Sequence, residues 1–186
     1  MKKEELPDKI PVFPLTNFII FPGSDVPLNI FEPKYIQMVD ESMSGNRLIG
    51  IIQPKKSGEL NKPDLHKIGC IGKITSFNET GDGRYIINLK GICRFKTIEE
   101  IENKKIFREY QIRYDEYVDD LSNKIEEIKF ADLNTIFKNL KSLFKKQGYV
   151  INWKEIEKQN LVQTINTLAM ASPFSMEEKQ ILLETI

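Results

Sequence analysis

Tyr85-Ile-Ile-Asn-Leu-Lys-Gly-Ile-Cys-Arg-Phe95 decides the fold, because its large side chains recur at every second position. Tyr85, Ile87, Leu89, Cys93 and Phe95 fall on one side, whereas Arg84, Asn88, Lys90 and Arg94 fall on the other. A period of two belongs to a strand with one buried face. The run before it aligns Ile68, Cys70 and Ile74, and Glu79-Thr-Gly-Asp-Gly83 between the two is built from turn formers. A long antiparallel hairpin is the expected result. Working outward, Leu48 to Ile52 is short and almost wholly apolar, which predicts a strand covered on both faces. Another strand should place Ile106, Tyr110, Ile112 and Tyr114 on one side, with Glu109, Gln111, Arg113 and Asp115 on the other.

Helical periodicity appears in two places. Pro33 to Met43 carries Tyr35, Ile36, Met38 and Val39 on one side, with Pro33 suited to a first turn and Gly45-Asn46 to a stop. After Asp119-Asp120 the period changes for the remainder of the chain. Ile125, Ile128, Leu133, Ile136, Phe137, Leu140, Leu143 and Phe144 form a broad apolar stripe, and Gly148 can cap it. Asn152 with Glu155 predicts the start of a second helix, carrying Trp153, Ile156, Leu161, Ile165 and Leu168 inward. Ser175 with Glu178 predicts a third. Pro54 to Asp64, polar and holding Gly58 and Pro63, reads as an exposed loop.

The composition narrows the function classes. Lys+Arg and Asp+Glu number 27 each, so no net field draws the chain to nucleic acid or to anionic lipid. Of the basic residues only positions 47, 84, 94, 108 and 113 are Arg, the type best shaped for phosphate. The apolar region from Phe18 to Phe31 is broken by Pro22, Gly23, Asp25 and Pro27 and cannot span a membrane as a helix. Met1-Lys-Lys-Glu-Glu lacks the apolar core of a signal peptide, so a cytoplasmic protein with reduced Cys70 and Cys93 is expected.

Catalytic and cofactor chemistry find little support. His66 is the sole histidine and stands beside Lys67 at the start of a strand, where a structural role is the simpler reading. No glycine-rich loop ending in Lys-Ser or Lys-Thr occurs. His66, Cys70 and Cys93 could lie on neighbouring strands, yet both cysteines project with apolar faces and no CxxC pair exists. Neither a cofactor nor a metal is expected.

Several dispersed matches do point somewhere. They are Pro11-Val-Phe-Pro-Leu15, Phe21-Pro-Gly23, Val26-Pro-Leu-Asn-Ile-Phe-Glu-Pro-Lys-Tyr35, His66-Lys-Ile-Gly-Cys70, Asp82-Gly-Arg-Tyr85, Leu89-Lys-Gly91 with Arg94-Phe95, and Pro173-Phe174 with Glu178-Lys-Gln180 and Leu182-Leu183-Glu184. In this order and spacing the chain resembles the N-terminal substrate-recognition domain of the Lon protease family. The resemblance implies an α+β fold: a PUA-like six-stranded pseudo-barrel with one helix over about residues 8–117, then a helical subdomain over 121–186. It also implies a non-catalytic module, stand-alone or truncated, because Lon proteins continue into an ATPase and a serine–lysine peptidase whose motifs are not found here.

The same resemblance implies binding to exposed hydrophobic segments of unfolded or client polypeptides. The residues suggest where. Phe18, Ile19, Phe21, Phe31, Tyr35 and Met38 crowd one Pro-rich segment and the helix after it, and consecutive large residues cannot all face one core if the chain is extended. An alternative is an extended segment buried on both sides. A second copy of the chain could also cover such a surface, giving a homodimer. PUA-like relatives bind RNA, but Lys104-Lys105 and Lys145-Lys146 are diluted by acidic neighbours, so nucleic acid is not the expected partner. An adaptor with one dedicated protein partner is a further alternative.

Overall fold

The computed structural model describes residues 3–59, 62–122, 130–150, 152–156 and 161–185. Its strands are β1 (Lys9–Pro14), β2 (Asp25–Ile30), β3 (Leu48–Ile52), β4 (Pro54–Glu59), β5 (Lys62–Leu65), β6 (Ile68–Glu79), β7 (Tyr85–Ile101) and β8 (Arg108–Arg113). Six of them form one sheet in the order β2-β7-β6-β3-β1-β8, and a further β7–β8 pairing closes it. The closure is possible because β7 is long enough for two partners. Its first half pairs with β2 from Lys90 to Tyr85, and its second half pairs with β8 from Lys96 to Ile101. β1 runs parallel to β3, while the other pairings are antiparallel.

The expected hairpin is β6–β7, in register from Ile68↔Lys96 to Glu79↔Tyr85. Between Ile71 and Gly72 the register shifts, so that Ile92 is the extra residue on β7. Such a bulge bends and re-aims a strand. On either side of it, Ile87 and Leu89 join one core cluster, and Cys93 and Phe95 join another. β3 is buried along its whole length and divides in the same way: Leu48 and Ile52 go to the cluster around Phe95, Ile49 and Ile51 to the second. The sheet therefore carries apolar cores on both faces.

The second cluster is roofed by α1 (Pro33–Ser44), which buries Tyr35, Met38 and Val39. Pro33 occupies the start of the helix, where its missing N–H costs nothing. Asn46 ends the connection by accepting from Leu48 N at 3.0 Å, and Arg47 takes a positive φ of 62°.

Three expectations for the β part change in the structure. Pro54 to Asp64 is a two-stranded hairpin, β4–β5, rather than an irregular loop. Backbone pairing and a 2.7 Å bond from Arg108 Nη1 to Pro63 O hold it, so no buried alternation marks it in the sequence. Ile106 is exposed and Phe107 is buried, because β8 begins only at Arg108 and its alternation does not extend back. Glu109 is buried as well, accepting from Asn103 Nδ2 at 2.7 Å and Lys105 Nζ at 3.0 Å.

The helical part comprises α2 (Phe130–Lys146), α3 (Trp153–Ile156), α4 (Leu161–Ala171) and α5 (Met176–Glu184). Gly148 ends α2 at φ 76°, with its N–H to Lys145 O at 3.2 Å and Tyr149 N to Phe144 O at 3.0 Å. That is the double bond of a glycine C-cap. Phe144 is buried with Trp153 and Tyr149 edge-on to its ring, whereas Ile136 lies in solvent. Ile125 and Ile128 lie outside the described residues. The predicted second helix is divided into α3 and α4, with 157–160 outside the description. Thr164 and Leu168, not Ile165, form the buried side of α4.

α4 and α5 pack onto the barrel. Leu183 enters the cluster around Phe95, Gln180 Nε2 donates to Ile68 O at 3.1 Å, and Asn166 Nδ2 donates to Pro22 O at 2.7 Å. Ser175 and Glu178 complete a reciprocal capping box at α5, with bonds of 2.7 and 3.2 Å. Ser175→Ala should therefore cost about 1 kcal/mol in a denaturant titration, with the slope unchanged.

Candidate functional site

The apolar segment from Leu15 to Ser24 is positioned by main-chain contacts with the barrel. Gly23 donates to Gly91 O at 2.8 Å, Gly91 donates to Ser24 O at 2.8 Å, and Ser24 Oγ donates to Phe21 O at 2.5 Å. Gly91 is glycine for a steric reason: a Cβ there would overlap the Phe21 carbonyl oxygen. Gln53 Nε2 holds the start of the segment by donating to Leu15 O at 2.6 Å and also to Phe18 O.

The six predicted contact residues separate into two groups. Ile19 and Phe21 sink into the cluster around Phe95, and Ile20 between them enters the other. The crowding of large side chains is thus absorbed by two cores, one on each side of the segment. Tyr35 and Met38 are buried in the second cluster, where the Tyr35 and Phe13 ring centroids lie 4.1 Å apart. Burial pushes the Tyr35 hydroxyl above its ordinary pKa, and Lys34, with its Nζ 4.7 Å from the ring centroid, counters part of that. Phe18 is half-buried, and Phe31 is 64% exposed.

Phe31 has company that the sequence reading passed over. Asn29 pairs with Ile86, so Phe31, continuing the alternation of β2, shares a face with Ile86, which is 46% exposed. On the opposite face Phe77 is 39% exposed and meets Tyr85 edge-on at 4.8 Å. Ile86 was visible as an apolar residue on the polar side of its strand, between Arg84 and Asn88. At the other end of β2, Phe18, Ser24, Asp25, Thr167 and Met170 line a cleft of about 470 Å³.

The remaining candidates are architectural. His66 donates its backbone N–H to Gln53 O at 2.9 Å, and its Nδ1 lies 3.7 Å from Glu184. Cys70 and Cys93 are buried thiols, and no group of three or more His, Cys, Asp or Glu able to hold a metal occurs among the described residues. Burial, with Asp120 nearby, pushes Cys93 up to about 12 and raises Cys70 well above the usual thiol value. At pH 8 only about one Cys93 in ten thousand would be thiolate. Native protein should therefore resist an aromatic disulfide reagent, and both thiols should react within seconds once guanidinium unfolds the chain. No helix among the described residues is long and apolar enough to cross a membrane.

Comparison with known proteins agrees with this architecture. Residues 9–186 match the family model of the ATP-dependent protease La (LON) substrate-binding domain. The Lon protease of Syntrophus aciditrophicus is 29% identical over 98% of this chain, and that of Dictyoglomus thermophilum is 26% identical over 98%. This chain spans only about a quarter of their length, 24% and 23% respectively. Among solved structures, a Lon N-terminal domain protein from Xanthomonas campestris superposes with a TM-score of 0.65 at 19% identity, covering 95% of this chain and 90% of that one. The N-terminal domain of the Mycobacterium avium complex Lon protease gives 0.63 at 17% identity, covering 96% and 90%. With a match running almost end to end, this chain belongs to the Lon substrate-binding domain family.

Proposed function

We propose that the module binds exposed hydrophobic segments of unfolded or client polypeptides, with Phe31 and Phe18 in contact and Ile19, Phe21, Tyr35 and Met38 supporting them from below. The observation that carries this reading is Phe31 itself. Its neighbour Ile30 is buried, yet Phe31 is 64% exposed beside Ile86 in a chain of the substrate-binding family. A large ring held in water is a standing reserve of apolar area, worth roughly 1.5–3 kcal/mol when a partner covers it. Such contact is tolerant of sequence, which suits a binder of many clients.

Phe31→Asp tests it. Capture of a chemically unfolded model protein should weaken about fivefold or more, with the melting temperature within about 2 °C of the parent, as for a surface change. Ile19→Asp should instead unfold the domain, because it places a charge in a core. Photo-crosslinked client should map to Phe31 and Phe18. Adducts confined to α2 through α5 would contradict the assignment.

A further inference from the structure

We infer that a client segment binds in extended form along the free edge of β2, adding a strand to the sheet. This rests on the polypeptide-binding reading above and specifies its geometry. β2 lies at one end of the six-stranded sheet and pairs with β7 alone among the described strands. Main-chain groups of an antiparallel strand point alternately to its two sides. Ser24 O accepts from Gly91 N, which assigns the even-numbered positions to the β7 side. Asp25, Pro27 and Asn29 then present theirs to the open side. Pro27 fits this frame, since a proline in a sheet survives only where its absent N–H would have faced away from the neighbour.

Among the described residues, no hydrogen bond other than those of the β7 ladder involves Asp25 to Ile30, so toward them the open side presents a row of carbonyl acceptors with the Asp25 and Asn29 N–H groups. The natural complement of such a row is another extended backbone. Side-chain features at both ends suit an apolar segment. Asp25 opens onto the cleft with Phe18 and Met170, a flexible side chain able to adapt, and Phe31 with Ile86 stands at the far end. From Asp25 to Phe31 the strand reaches about 20 Å, the span of six or seven extended residues. Main-chain bonding supplies affinity without reading sequence, and the two apolar ends select hydrophobic segments.

Asn29→Pro is the direct test, because it deletes an edge N–H in the frame that already tolerates Pro27. The variant should melt as the parent does. Its affinity for a fluorescein-labelled heptapeptide of alternating apolar and polar residues should fall at least about tenfold, while Asn29→Ala binds within about twofold of the parent. Independently of any effect on folding, the parent protein is titrated with the same heptapeptide N-methylated at alternate residues in each of the two frames. One frame should lose about tenfold or more and the other should bind like the unmethylated peptide.

Equal binding of both methylated peptides, or parent-like binding by Asn29→Pro, would overturn the edge geometry while leaving hydrophobic capture intact. Failure of the parent to bind either unfolded protein or the heptapeptide would remove the underlying reading as well. A parent that sediments as a dimer, with Asn29→Pro monomeric, would assign the edge to a second copy and overturn the inference.

Discussion

Phe95→Ala should lower the unfolding free energy by about 3–5 kcal/mol and the melting temperature by on the order of 10 °C. Phe95 is wholly buried, and the structure makes room for it deliberately. A Cβ on Gly50 would lie 2.9 Å from Phe95 Cζ, and one on Gly69 would lie 2.7 Å from the same atom. Two strands thus give up side chains so that one ring can fill the centre. Removing the ring leaves a cavity ringed by β-sheet backbone, which relaxes little, so the cost belongs near the upper end of the range. A coupling experiment sharpens the point. Gly50→Ala should be costly in the parent, yet distinctly cheaper in the Phe95→Ala background, because the added methyl then enters vacated space. Additive effects would show that Phe95 and Gly50 do not share that space.

Asp120→Ala should cost about 2–4 kcal/mol, since removing one partner of a largely buried ion pair strands the other. Asp120 receives Arg94 Nε at 2.9 Å and Nη2 at 2.8 Å, and the Arg94 backbone N–H at 2.9 Å. The side chains of Arg94 and Asp120 are 17% and 10% exposed, so some water reaches the pair, which sets the lower bound. Arg94 also lies over the Tyr117 ring at 4.5 Å and donates through Nη1 to Leu183 O at 3.3 Å and to Thr185 O. One guanidinium therefore ties β7 to the 3-10 helix Asp115–Leu121 and to the end of α5. Its loss should appear as a lowered midpoint in denaturant and as faster exchange of α5 amides. Parent-like exchange in α5 would mean that the helix is held by Leu183 and Gln180 alone.

Much of the β architecture was readable because burial imposes a period. Tyr85 to Phe95 alternates, Leu48 to Ile52 is continuously apolar, and both became the strands they suggested. The bulge at Ile92 was not readable, because a single extra residue leaves no compositional trace yet moves Cys93 and Phe95 into a different core from Leu89. The β4–β5 hairpin was missed for the opposite reason: its stability lies in backbone pairing that buries little. In the candidate site, the run of large residues from Phe18 to Phe21 is plain in the sequence. Whether they served a partner or two internal cores depended on a long-range fact, that this segment is wedged against Gly91. Exposure of Phe31 follows from the same alternation that buries Ile30, while Ile86 required knowing which strand lay opposite Asn29.

Capture of polypeptide through apolar contact, as we propose for this chain, is tested most directly by the salt dependence of binding to an unfolded model protein. Affinity measured from 50 to 500 mM salt should stay within about twofold or rise slightly, since apolar burial is not screened. Binding that collapses by orders of magnitude over that range would indicate polyanion-type electrostatics and contradict the account, as would the absence of any binding to the unfolded protein.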